Sequence, residues 1–347
     1  MSTPTTMRAA VYHGPRDIRI EDVPAPMPGP DDVLVRVLRS GLCGTDVTEW
    51  VSGPLMIPLY SAHAHSGHSG PMIQGHEILG EVMSAPADSS LSNGQIVASG
   101  AQVFCGECER CREGRVNICE RLYTLGLNTN GGHAEYVIAP VRSWVPVPSN
   151  LSLDHAGLVQ PLAVGLHAAR RSGAGGGDFV LISGAGAIGS FVLAALRHLE
   201  PALEITLTDV DALKLERAQR LGADHVMLAG AVHDREFDVT IEASGAPGTL
   251  ARCIELTRVG GRVLAVGMPA RPLELDIHHL VLREITLDTT VALITQEDMV
   301  PALEILSTTG LGTELLDSVQ PLSQIAAVLD AIASGRVQGK VLLDPRG

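Results

Sequence analysis

The sequence predicts two fold classes in one chain, an all-β first part and an α/β second part carrying a doubly wound parallel sheet. Three observations predict this. Up to about Leu151, short apolar runs alternate with turns. Beyond it, strand-like and helix-like runs alternate, as parallel crossover units require. At one such strand-to-helix junction stands Gly184-Ala-Gly-Ala-Ile-Gly189. At 347 residues the chain is also too long for one average domain.

In order, Met7 to Tyr12, Val33 to Leu38 and Ile78 to Met83 read as strands, with Pro24, Pro26, Pro28 and Pro30 punctuating a connection. Val51 to Ile73 reads as a long loop. Leu158 to Arg171 is Ala/Leu-rich and helical in pattern. Phe179 to Ser183 is a buried strand, followed by a helix over Ile188 to Leu199, a strand over Glu204 to Thr208 and a helix over Ala212 to Leu221. Strands at Val239 to Glu242 and Arg262 to Val266 enclose another helix, and Lys340 to Leu343 is a final strand. The expected divisions are 1–155, 156–290 and 291–347.

Composition excludes some partners. The formal charge is -14, with no block of Lys or Arg, so nucleic acid and acidic membranes are not expected partners. The first residues do not read as a signal peptide, and no apolar run is fit to span a bilayer. A reducing cytoplasm is therefore expected, where closely spaced cysteines are metal ligands rather than disulfides.

Three constellations carry chemistry. Cys43, in Gly41-Leu-Cys-Gly-Thr-Asp46, and His76, followed by Glu77, offer a thiolate, an imidazole and a carboxylate beside the Thr45 hydroxyl. That set can hold zinc with one position open to a substrate oxygen. A plain buried thiol and a turn-capping Thr are the structural alternatives. Cys105, Cys108, Cys111 and Cys119 have the spacing C-x2-C-x2-C-x7-C, which can close a tetrahedral shell around a structural zinc; an iron–sulfur cluster is the alternative. Cys253 falls on a helical segment and reads as a buried structural thiol.

The third constellation is the glycine-rich turn. Gly184 permits the turn, Gly186 lets the backbone approach a pyrophosphate, and Gly189 lets helix pack on strand. The helix start offers its N–H groups to phosphate. Asp209 lies 20 residues beyond Gly189, where it can accept bonds from ribose hydroxyls and repel a 2′-phosphate. NAD is therefore expected over NADP.

In this order the pieces resemble the zinc-dependent medium-chain alcohol and polyol dehydrogenases, most of all the butanediol and sorbitol groups. The resemblance also rests on Gly131-Gly-His-Ala-Glu-Tyr136, on Thr45 to Pro58, on Gln160-Pro-Leu162 and on the ending Gly339-Lys-Val341. It implies a GroES-like (chaperonin-10) β-barrel catalytic domain, a Rossmann domain for NAD, a C-terminal segment returning to the first domain, and an active site in an interdomain cleft. It further implies a homodimer or homotetramer. Residue by residue, it implies Cys43 and His76 as ligands of a catalytic zinc and Glu77 as a ligand or a carboxylate just behind. Thr45 matches the hydroxyl that receives the alcohol proton, and Ile188, Asp209 and Lys214 match cofactor positions.

Two residues depart from the family pattern. Gln160 stands where relatives often carry Glu, and either ligates through its amide or hydrogen-bonds nearby; the neutral side chain should leave zinc a stronger Lewis acid. Thr48 replaces a histidine that passes protons outward in many relatives. The expected activity is hydride transfer between NAD and a secondary alcohol, diol or polyol, or the ketone in reverse. A sugar or aldehyde dehydrogenase of the same fold is the alternative, and a non-catalytic redox sensor a remote one. His63, His65 and His68 read as a solvated loop rather than a third metal site.

Overall fold

The computed structural model describes residues 4–232, 236–269 and 271–347. The chain forms two compact units: residues up to Gln160 together with Ile294–Gly347, and Pro161–Leu293.

In the first unit, Asp32–Gly41 is the central strand. It pairs antiparallel with Glu77–Ser84, with Tyr136–Pro140 and, at its end, with Lys340–Asp344. Its burial explains its place: Val33, Val35 and Val37 are fully covered and pack with Ile78, Val82, Val97 and Trp144. Thr6–Gly14 forms a hairpin with Asp17–Pro24. The second hairpin strand was not anticipated, because its sequence, DIRIEDVP, is charged and only half-buried along an edge.

Segment Val51 to Ile73 is not all loop. It begins inside the helix Gly44–Ser52 and ends in the short strand Met72–Ile73. That helix anchors the loop beyond its end: the buried Glu49 carboxylate accepts the N–H groups of Leu55 and Met56. The C-terminal segment belongs to this same unit. Its last strand runs parallel to Leu316–Pro321, and Leu322, Ile325, Leu329, Val341 and Leu343 share a core with Leu42 and Trp50. Trp50 Nε1 donates to Asp330 Oδ1 at 2.8 Å, tying the first helix to the last.

Among its described residues the second unit holds six parallel strands. Numbered by their own sequence order, they lie 3-2-1-4-5-6 across the sheet, the order of the doubly wound dinucleotide fold. Phe179–Ser183 is the first strand, at the centre, and Glu204–Asp209 lies beside it. One strand is longer than expected, running Thr257–Ala265 with a register shift in its pairing to Phe237–Glu242. Gly260, at φ 71°, lies inside that irregular stretch and allows the strand to resume in register. The edge strands His225–Leu228 and Thr286–Thr289 were missed, since four residues of mixed polarity give too short a pattern to read.

Candidate active site and metal centres

Strand pairing assembles the first constellation. Gly41 lies opposite Glu77 in the ladder between Asp32–Gly41 and Glu77–Ser84. Cys43, two residues beyond Gly41, therefore comes beside His76, one residue before Glu77. Gly41 also makes room, because a Cβ there would sit 2.0 Å from Glu77 Oε2. Cys43 then caps the helix Gly44–Ser52 in extended conformation, and the Asp46 carboxylate accepts its N–H at 2.8 Å. The helix itself was not anticipated.

The ligating atoms of Cys43, His76 and Glu77 lie within 4.8 Å of one another. His76 Nδ1 and Glu77 Oε2 are buried without a hydrogen-bond partner. Asp46 Oδ1 lies 3.8 Å from His76 Nδ1, too far to satisfy it. Leaving such atoms unpaired inside a protein is costly, and a divalent cation among a thiolate, an imidazole and a carboxylate resolves the cost. The residues present therefore fit a zinc ion.

Charge in the centre is organised around that set. Burial opposes ionisation of the Cys43 thiol, but the charge and hydrogen bond of His76, then Lys340, hold it below its ordinary value. Burial likewise works against a charged His76, yet Asp46 and Cys43 raise it to about 9. A metal entering here displaces that proton.

The sequence reading passed over two supporting residues, Asp46 and Lys340. Lys340 is 4 % exposed, and its Nζ donates to Glu77 Oε1 at 2.5 Å and to the Leu42 carbonyl at 2.6 Å. It fixes one carboxylate oxygen and leaves the other turned free. Buried charge pairs of this kind are strongly destabilised when one partner is lost. The signal for Lys340 was a charge opening the apolar run Val341 to Leu343 of the strand KVLLD.

Thr45 Oγ1 lies 3.9 Å from Cys43 Sγ. Thr48 Oγ1 is bonded back to the Gly44 carbonyl at 2.9 Å, so its hydroxyl is committed to its own helix. Gln160 is 8 % exposed, at the second position of the helix Val159–Ser172. His133 is fully buried; its Nδ1 meets Ser40 Oγ at 2.8 Å, and burial, with His76 and Lys340, lowers it to about 3, so it is neutral. In the His63 loop, His63 Nδ1 accepts the Ser66 N–H, a local turn. Among the described residues these histidines join no metal-ligating group.

The four-cysteine lobe is compact. Sγ–Sγ separations are 3.9 Å for Cys105–Cys111, 3.8 Å for Cys108–Cys119 and 3.5 Å for Cys105–Cys119. A tetrahedron with Zn–S bonds of ~2.3 Å has edges of ~3.8 Å, so the sulfurs already stand at zinc spacing. They are far too distant for disulfides. Backbone N–H groups of Glu107 and Cys108 point at Cys105 Sγ, and those of Cys105 and Arg121 at Cys119 Sγ. Those contacts, led by the Glu107 N–H, lower Cys105 to about 6, while burial lifts Cys111 to about 12. Four thiolates at this range need a cation to coexist.

The glycine-rich turn lies between Phe179–Ser183 and the helix Ala187–Leu199. Gly184 N bonds the Thr208 carbonyl, and a Cβ on Gly189 would sit 1.8 Å from the Gly184 oxygen. A Cβ on Gly186 would meet nothing within 4 Å, so open space adjoins the backbone where a pyrophosphate is expected. No side chain caps that helix. Asp209 ends its strand; Oδ2 accepts the Ala185 N–H at 2.7 Å and Oδ1 the Asp211 N–H. A carboxylate with such bonds keeps lone pairs for ribose hydroxyls. Ile188, in the first helical turn, and Lys214, on Ala212–Arg220, are both half-buried.

Residues 29–149 match the alcohol dehydrogenase GroES-like domain, and residues 187–308 match the zinc-binding dehydrogenase family. The sorbitol dehydrogenase of Bacillus subtilis is 33% identical over 284 residues, covering 78% of this chain and 77% of that protein. The chain belongs to the zinc-binding alcohol dehydrogenase family. An L-threonine 3-dehydrogenase of Saccharopolyspora erythraea is 33% identical over 81% of this chain and 82% of its own length. The crystal structure of 2R,3R-butanediol dehydrogenase from Bacillus subtilis superposes with a TM-score of 0.89 at 26% identity, covering 98% of this chain and 99% of that one. This dehydrogenase is thus an oxidoreductase acting on CH–OH donors, with zinc and a nicotinamide dinucleotide as cofactors. No helix among its described residues is long and apolar enough to cross a membrane.

Proposed function

We propose that this dehydrogenase oxidises a secondary alcohol within a vicinal diol or polyol, using NAD, and reduces the matching ketone or acyloin in reverse. The observation that carries the proposal is the trio Cys43, His76 and Glu77, with Cys43 half-buried, the other two buried, and His76 Nδ1 and Glu77 Oε2 unsatisfied. When bound, zinc supplies Lewis acidity toward a substrate oxygen and the nicotinamide supplies the hydride acceptor. Cys43 and His76 are the ligands, with Glu77, braced by Lys340, as a third ligand or the carboxylate behind. Thr45 Oγ1 receives the hydroxyl proton beside Cys43. With the Thr48 hydroxyl committed to Gly44, Thr45 would hand its own proton on to water or to the cofactor ribose. Gln160 adds a neutral amide where an acid would reduce the metal's electrophilicity. Cys105, Cys108, Cys111 and Cys119 hold a second, structural zinc.

Sorbitol, L-threonine and 2R,3R-butanediol, after which the relatives are named, each carry a secondary hydroxyl next to another polar carbon, which supports the substrate class. Gly184, Gly186, Ile188, Gly189, Asp209 and Lys214 bind the dinucleotide. A panel of simple secondary alcohols, vicinal diols, cyclitols and aldoses, run with NAD and NADP, tests the reading. Diols or polyols should give the highest kcat/KM. NAD should be preferred by about 100-fold, since a 2′-phosphate would meet the Asp209 carboxylate. Asp209→Ser should erode that preference by at least about tenfold. Clear NADP preference in the parent, or turnover confined to aldoses, would overturn it.

A further inference from the structure

One residue of the glycine-rich turn is held at both ends by side chains from elsewhere in its unit. Ala185 is fully buried. Its N–H is taken by Asp209 Oδ2 at 2.7 Å. Its carbonyl accepts a bond from Arg217 Nη2 at 2.9 Å, and the same nitrogen reaches Ser190 Oγ at 3.3 Å. Ser190 Oγ in turn donates to the Ala185 carbonyl at 3.3 Å. Arg217 belongs to the helix Ala212–Arg220 and is only 5 % exposed. An arginine so deeply covered, on a helix whose other charged residues mostly face water, is an unusual use of a guanidinium.

The peptide geometry gives this bond a consequence. The Ala185–Gly186 peptide is trans. In a planar trans peptide the C=O and the following N–H point in opposite directions. Arg217 pins the Ala185 oxygen on the buried side, so the Gly186 N–H must face the other way. Gly186 itself is part-exposed, and open space adjoins its Cα. With the Ala185 N–H consumed by Asp209 and the Gly184 N–H by Thr208, Gly186 is the first N–H of the turn left to meet an anion.

We propose that Arg217 is a positioning residue for the cofactor: by holding the Ala185 carbonyl from beneath, it aims the Gly186 N–H at the dinucleotide pyrophosphate. This rests on placing the dinucleotide at the turn Gly184–Gly189. Arg217 acts through the turn and touches no reacting atom, so its loss removes binding common to ground and transition states. Such a loss raises KM and leaves kcat alone.

The test measures NADH affinity by fluorescence titration, together with kcat, KM for NAD, zinc content and thermal midpoint. In Arg217→Met, NADH binding should weaken roughly tenfold, as expected for losing a hydrogen bond to a charged donor, and KM for NAD should rise in step. The kcat at saturating NAD should stay within about twofold of the parent, with zinc unchanged. Arg217→Lys, which keeps a cationic donor, should recover most of the affinity. A folded Arg217→Met protein with parental NADH affinity overturns the proposal, as does one that loses kcat at unchanged KM. If the Met variant does not fold, Arg217→Gln carries the test, since its shorter amide cannot span to Ala185; parental affinity there is equally fatal. Gly186→Val separates this from the underlying site assignment. Its side chain meets no protein atom near the Cβ position, so folding should survive while the phosphate seat is blocked. NADH binding by Gly186→Val at parental affinity would remove the turn as the cofactor site, whatever Arg217 does.

Discussion

Cys43→Ala is expected to lower turnover by at least about 10³-fold and to remove one of two zinc ions per chain. Cys43 supplies the one sulfur of its trio, and although burial opposes its ionisation, His76 and Lys340 bring the thiol below its ordinary value. Without it, at most His76 and Glu77 of the proposed set remain, below what a stable zinc site uses. On the proposed reading the substrate oxygen then loses its electrophile, while the glycine-rich turn proposed for the dinucleotide belongs to the other unit. NADH affinity should therefore survive as turnover disappears. Metal analysis by mass spectrometry, beside steady-state rates, reads both. Parental turnover by a Cys43→Ala protein shown to lack that zinc would refute the catalytic role of the centre.

Cys119→Ser should act on stability instead. Cys119 is buried, stands within 3.8 Å of Cys108 Sγ and 3.5 Å of Cys105 Sγ, and accepts two backbone N–H groups. The lobe around it, residues 105–121, has little apolar core: only Cys108 and Cys119 count among its buried hydrophobic residues. On the proposed structural-zinc reading, metal binding supplies most of its folding free energy. Losing one thiolate should weaken zinc by several kcal/mol and lower the thermal midpoint by about 10 °C. Below that transition, kcat should stay within about threefold of the parent. The outcome that sinks the structural assignment is a variant with one zinc fewer and an unchanged melting curve, or with normal stability and no turnover.

Legibility in the sequence varied from site to site. Cysteine spacing and the glycine-rich turn are local patterns whose geometry follows from chemistry, and the sulfurs stand at tetrahedral spacing. The alternating strands and helices of Phe179 to Leu221 were legible for the same reason: each run is long and strongly patterned. Short edge strands such as His225–Leu228 were not, because four residues carry too little periodicity. The helix behind Cys43 was hidden by its composition, GTDVTEWVS, in which Gly, Thr, Val and Ser are poor helix formers. It forms because Asp46 caps its start and Trp50 is buried against the C-terminal core. Lys340 and Arg217 escaped notice for another reason. Their importance lies in contacts across 263 and 32 residues of chain, which no window on the sequence contains.

Zinc counted on the same sample as activity, while metal is removed and restored, tests the central claim most directly. The parent should hold two zinc ions per chain and reduce NAD with a vicinal diol or polyol. Chelation that empties the Cys43–His76 centre should abolish NADH formation, and added zinc should restore it. NADH formation at the starting rate by protein holding zinc only among Cys105, Cys108, Cys111 and Cys119 would contradict the claim.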